Sequence, residues 1–334
     1  MKILVVAPSW VGDTVMAQPM FKLLHECHAN LTLDVLAPPF TLPLLKRMPE
    51  VRRCIAARFG HGELKLNERR RLAHELQAEH YDQAIVLPNS LKSALIPLLA
   101  KIPLRTGFRG EMRYGFLNDI RRLDERALPK MVQRFAALAL DRGAALPRPL
   151  PTPRLFANAE NAKIIIQKQI LTLDKPIAVF CPGAEYGPAK RWPAEYFGAL
   201  AKQAAQKGYG VWLIGSPKDA AIGDDIVRAS DGACVNLCGK TARDDAIDLI
   251  SMAALVVTSD SGLMHVAAAL ERSTLALYGS SSPAFTPPLS DKAQIIKIDI
   301  ACSPCFERVC PLGHFNCMRQ MTPEQVWRHV PAAQ

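Results

Sequence analysis

The chain has 334 residues, 49% of them hydrophobic, and a formal net charge of +10, a composition that excludes a disordered or fibrous protein. Its length is about twice that of a typical domain, so two domains are expected. The longest apolar run, "SALIPLLAKIPL", is broken by Pro97 and Lys101 and falls short of the ~20 residues a bilayer span needs; "ILVVAP" after Lys2 is too short for a secretory signal.

In chain order, strands are predicted at "KILVVA", "LTLDVLA", "VRRCIAA" and "QAIVLP", with helices near 14–27, 63–80, 90–100 and 130–142. Around Pro147 the stretch "ALPRPLPTPRLF" is a stiff connector, setting a boundary between a domain at 1–150 and a second at 151–322. The second half repeats the pattern: strands at "PIAVFC", "GVWLIG", "ACVNLC", "ALVVTS" and "TLALYG", helices near 193–207, 218–230, 243–253 and 262–270. A last helix over 323–334 starts at Pro323 behind Thr322 and carries a stripe of Val326, Trp327 and Val330; it is expected to pack back on the first domain. The fold class is α/β, two doubly wound domains with their sites at the carboxyl ends of parallel strands, facing a central cleft.

Five stretches carry candidate chemistry. In "PSWVGDT", Gly12 permits a tight bend and Asp13 falls at a helix N-terminus, either as a cap or as a functional carboxylate. In "CPGAEYGPAKRWP", Gly183 and Gly187 allow close backbone approach and Lys190 brings a cation before a helix, a combination suited to a diphosphate or to an ordinary loop with a surface lysine. Neither a Walker loop nor a GxGxxG follows any strand, which argues against a nicotinamide dehydrogenase. In "VVTSDSGLMHVAAAL", Asp260, Ser261 and Gly262 open a helix whose first amides attract an anion, and His265 lies one turn in, as a site residue or a core histidine.

The fourth stretch is basic. Residues 1–150 carry 23 Lys+Arg against 14 Asp+Glu, and 151–334 carry 18 against 17, so the positive field belongs to the first half and implies an anionic partner there. Asn89 opens this patch, with Arg58, Lys92, Arg105, Arg109 and Arg113; Arg69, Arg70 and Arg71 read as a solvated helix face. Few aromatics interleave the patch, which weakens a single-stranded nucleic-acid reading, and no nucleic-acid partner is expected. The fifth, "CSPCFERVCPLGHFNC", gives Cys302, Cys305, Cys310, His314 and Cys317 a spacing open to a metal or to free thiols, since a reducing compartment disfavours disulfides.

Together, "APSWVGDTVMAQPM", "NSLKSALIPLLAKIPLRTGFRGEMRYGFLND", "SDSGLMHVAAAL" and "CSPCFERVCPLGH" make the chain resemble the ADP-heptose:lipopolysaccharide heptosyltransferases of glycosyltransferase family 9 along nearly its whole length. The resemblance implies a GT-B fold and an inverting, metal-independent transfer of L-glycero-D-manno-heptose from ADP-heptose to the inner core, with no cofactor. It implies Asp13 as general base and Lys190 as diphosphate contact. Gly12, Gly183, Glu185, Tyr186, Thr241, Asp260, Ser261, Gly262 and His265 fall to the donor pocket, although some members have hydroxyl residues at positions 185 and 186. The basic patch then takes a phosphorylated, Kdo- and heptose-bearing lipid A core, with the protein cytoplasmic and in transient contact with the inner-membrane surface. A non-catalytic anion- or lipid-binding module is the reading outside this class.

Overall fold

A computed structural model describes residues 1–59 and 63–330, and the chain divides into two compact units, Met1–Pro153 and Arg154–Gln334. Part of the expected basic stretch (60–62) and the end of the expected last helix (331–334) lie outside the described residues.

Unit one holds strands β1 (Lys2–Val6), β2 (Thr32–Ala37), β3 (Arg53–Ala56), β4 (Gln83–Val86), β5 (Leu104–Phe108) and β6 (Asp119–Arg121), ordered β3-β2-β1-β4-β5-β6 and paired parallel throughout. Its helices are α1 (Val11–Met16), α2 (Gln18–Cys27), α3 (Leu42–Leu45), α4 (Leu66–Gln77), α5 (Leu91–Leu99) and α6 (Met131–Ala137). The helix expected at 14–27 is two, because Pro19 in the first turn of α2 has no N–H to continue α1 and is tolerated only near a new start.

Unit two runs α7 (Ala159–Lys168), β7 (Ile177–Cys181), α8 (Ala194–Gln206), β8 (Gly210–Leu213), α9 (Ala220–Ala229), β9 (Val235–Asn236), α10 (Arg243–Ser251), β10 (Leu255–Ser259), α11 (Gly262–Ala269), β11 (Thr274–Tyr278), β12 (Ala293–Lys297), α12 (Asn316–Arg319) and α13 (Pro323–Trp327). Its sheet, β12-β11-β10-β7-β8-β9, is also all parallel and repeats the order of unit one: the first strand of each unit lies between the second and the fourth.

Both sheets are covered on their two faces, so their central strands are continuous apolar runs: β1 buries Ile3, Leu4 and Val5, and β7 and β10 are buried along their whole length. In unit two Phe180, Trp192, Phe197 and Leu213 form the core, Trp192 meeting Phe197 edge-on at 4.9 Å. The final helix differs from expectation. Here α13 packs against α8, Val326 is fully buried in this same core, and Trp192 Nε1 donates to Met321 O at 2.8 Å just before it. An apolar stripe goes where an open core edge exists, and unit two supplies it.

Candidate active site

In doubly wound sheets the ligand crevice opens where the strand order reverses. In unit two that point lies between β7 and β10, and the loops leaving those two strands carry the candidate residues. The loop after β7 ends in a short turn at Pro188–Lys190; the loop after β10 places Asp260 ahead of α11. Lys190 Nζ and Asp260 Oδ2 meet at 2.6 Å, their side chains 16% and 5% exposed. Lys190 also lies over the ring of Tyr186, 4.9 Å from its centroid.

Asp260 itself is fixed by the sheet, its N–H donating to Leu277 O at 3.1 Å. Ser261 is the N-cap of α11 without a side-chain capping bond, and its hydroxyl lies 3.1 Å from Thr258 Oγ1. Gly262 begins the helix, and His265, only 4% exposed, sits one turn in. Burial pushes the imidazole down to about 4; the charge of Lys190 lowers it too, and Asp260 opposes. His265 is therefore neutral at physiological pH and is no acid there.

The two loop glycines make room for protein atoms. A side chain at Gly183 would run into the carboxylate of Asp219, which is itself held by Ser216 N–H at 2.9 Å and Ser216 Oγ at 2.7 Å. A side chain at Gly187 would run into Arg308 O, which accepts the N–H of Ala189 at 3.0 Å. Glu185 is ion-paired with Lys218. Tyr186 donates its hydroxyl to Phe306 O at 2.5 Å, and Arg308 lies over its ring at 5.2 Å. Thr241 is half-buried just before α10.

In unit one the order reverses between β1 and β4, and again the two adjoining loops hold candidates. Trp10 is the N-cap of α1, so Gly12 and Asp13 lie inside the first helical turn; the expected bend at Gly12 is an ordinary helical residue, and Asp13 is not the capping residue. After β4 come Asn89, exposed, and Lys92, half-buried at the start of α5. Arg58 and Arg109 are exposed.

Two of the expected anion contacts are structural. Arg113 is 1% exposed and donates to Pro88 O at 2.6 Å, to Phe108 O and to Asn89 Oδ1 at 3.1 Å. Arg105 donates to Phe116 O at 2.7 Å and Ile102 O at 2.6 Å. Both give their guanidinium to protein acceptors, backbone carbonyls in each case and the Asn89 side chain as well for Arg113, which shapes the loops presenting Asn89 and Arg109. Arg69, expected on a solvated face, is likewise buried, bonded to Leu64 O, Glu63 O and Lys92 O and stacked on Phe59 at 4.3 Å.

Sequence reasoning passed over Ser280 and Ser281, buried hydroxyls beyond β11 that, with Ser259 at the end of β10, have no hydrogen-bond partner in the described structure. The signal was the triple serine of "YGSSSP" directly behind a buried strand. Cys302, Cys305, Cys310, His314 and Cys317 line one cavity, and the four cysteines are unbridged. Among the described residues no group of three or more His, Cys, Asp or Glu side chains is arranged to hold a metal ion.

The sequence pattern of glycosyltransferase family 9 (heptosyltransferase) matches residues 69–316. Lipopolysaccharide heptosyltransferase 2 of Salmonella typhimurium is 48% identical, covering 98% of this chain and 96% of that protein. Lipopolysaccharide heptosyltransferase 2 of Escherichia coli is 47% identical over 99% and 98%. The solved structure of E. coli ADP-heptose lps heptosyltransferase II superposes with a TM-score of 0.89 at 46% identity, covering 98% of this chain and 97% of that one.

Proposed function

The chain belongs to glycosyltransferase family 9, the heptosyltransferases, and from that premise we propose that it moves L-glycero-D-manno-heptose from ADP-heptose onto the first heptose of the lipopolysaccharide inner core, inverting the anomeric centre. The observation that carries this reading is identity of 47–48% to heptosyltransferase 2 proteins along nearly the full chain. The chemistry of the two switch points supports it.

Direct inversion needs a base on the acceptor hydroxyl and stabilisation of the charge that builds on the departing diphosphate. Asp13, in the first turn of α1 after β1, takes the acceptor proton. Lys190 meets the diphosphate, exchanging Asp260 for the incoming oxygens. Asp260, released from that pair, accepts from a donor hydroxyl beside the first-turn amides of Ser261 and Gly262. Arg58, Lys92 and Arg109, with Asn89, take the phosphorylated Kdo- and heptose-bearing core, while Arg105 and Arg113 hold their loops in shape. The acceptor is a lipid, so the protein works on the cytoplasmic face of the inner membrane in transient contact with its surface; no described helix is long and apolar enough to cross a membrane.

Acceptor-dependent release of ADP tests the reading. Purified protein given ADP-heptose should release ADP with a core ending in one heptose and release little without it or with a core ending in Kdo. ADP release that is independent of acceptor, or absent with every acceptor, overturns it.

A further inference from the structure

The cavity beside the Lys190 loop holds a cluster of thiols that heptose transfer does not use. Cys302, Cys305 and Cys310, from the irregular segment between β12 and α12, line it together with Phe315 of that segment, Cys317 of α12 and Ser280 beyond β11. That segment invests three left-handed residues, Phe306, Gly313 and Phe315, two of them bulky side chains for which φ near +55° is costly. Gly313 and Phe315 curl the backbone around Cys310, whose sulfur accepts the Phe315 N–H at 3.4 Å. Amides of Leu312, Gly313 and His314 also face this sulfur and, with Phe315, hold the Cys310 thiol below its usual range. Cys302 and Cys305 are half-exposed like Cys310, whereas Cys317 is buried and its thiol is pushed up by burial.

The same segment props the candidate donor loop. Arg308 O receives the Ala189 N–H at 3.0 Å, one residue before Lys190, and Phe306 O receives the Tyr186 hydroxyl at 2.5 Å. Phe306 and Arg308 lie between Cys305 and Cys310 in the chain, so a bond from Cys310 to Cys302 or Cys305 closes a covalent loop around the two carbonyls that hold Ala189 and Tyr186.

We propose that Cys310 is a peroxide-reactive modification site, resolved by Cys302 or Cys305 of the same cavity, and that the resulting disulfide switches off donor binding by displacing the Lys190 loop. The Cys310 thiolate attacks a peroxide oxygen, the O–O bond breaks, and the leaving hydroxide takes a proton to become water; sulfur becomes a sulfenic acid. The second thiol attacks that sulfur, an S–S bond forms, and the hydroxyl leaves with the thiol proton as a second water. Peroxide is the oxidant, and one pair of electrons passes from two thiols to it. The loss of activity rests on the reading of Lys190 as the diphosphate contact.

Full-length protein is treated with a small excess of hydrogen peroxide, mapped by mass spectrometry without reduction, and assayed for acceptor-dependent ADP release. The expected map joins the Cys310 peptide to Cys302 or Cys305 with loss of two hydrogens. Activity should fall on the order of 10²-fold, as displaced reacting groups do, and return with dithiothreitol. Cys310→Ser should keep basal activity and resist peroxide; should that variant fail to fold, the double variant Cys302→Ser/Cys305→Ser should form the sulfenic acid but no crosslink. Oxidation confined to exposed Cys27, or a tightly bound cation that leaves the cavity thiols inert, overturns the proposal. A disulfide with full activity overturns the switch alone. If untreated protein releases no ADP, the transferase reading fails, and the peptide map still decides whether the disulfide forms.

Discussion

Lys190 and Asp260, from loops following the two strands at the switch point of unit two, form a nearly buried ion pair 2.6 Å long. Such a pair is costly to break from one side, because the remaining charge stays out of water. Lys190→Ala is expected to lower kcat/KM on the order of 10²-fold by removing leaving-group stabilisation. It should also destabilise the fold by about 3–5 kcal/mol. The double variant Lys190→Ala/Asp260→Asn should regain much of the melting temperature and none of the lost kcat/KM. An unchanged kcat/KM in either variant removes Lys190 from the diphosphate site.

Asp13 occupies the third position of α1, where a carboxylate contributes only about 0.3–1 kcal/mol to the helix terminus. Asp13→Asn should therefore melt close to wild type and bind ADP-heptose normally while turnover falls by roughly 10²–10⁴. Binding measured by calorimetry and turnover measured by ADP release separate the two effects; near-normal turnover would leave Asp13 a structural role.

Arg109 and Arg113 stand four residues apart and should behave oppositely. Arg113→Ala empties a buried position and strands the carbonyls of Pro88 and Phe108, a loss of about 3 kcal/mol or more that denaturant unfolding would register. Arg109→Ala, on the surface, should change stability by less than about 0.5 kcal/mol while raising KM for the phosphorylated acceptor. Equal unfolding midpoints for the two variants would contradict the burial argument.

His265 links the site to pH. Its imidazole titrates at about 4 in the fold against 6.5 in the unfolded chain. Within that window the unfolded chain binds a proton that the fold refuses. Stability then falls with falling pH, by about 1 kcal/mol per pH unit, and is unaffected by this group above the window. His265→Gln should flatten the dependence between about pH 6.5 and 5, as read from urea midpoints; an undiminished slope would assign it to other groups.

The sheets were legible because buried parallel strands write themselves as unbroken apolar runs, as in "ILVV" and "LVVTS". Strand β5, "LRTGF", was not, since Arg105 and Gly107 interrupt the run, and edge strand β12 is largely exposed. The loop residues Lys190 and Asp260 stood out separately, but their pairing depends on β7 and β10 being neighbours, a relation between strands with no local trace. Arg113 was misread for a related reason. A guanidinium that serves phosphate and one that serves carbonyls have the same letter, and only the partners at Pro88 and Phe108 tell them apart.

The bare backbone at Gly187, pressed against Arg308 O, makes the stretches 183–190 and 302–315 one inheritable part. A relative that gains a side chain at the first must reshape the second, so the two should covary across descendants. A chimera that exchanges either stretch without its counterpart should lose the seating of Ala189 and Tyr186, whereas exchanging both should carry the whole arrangement into a new host.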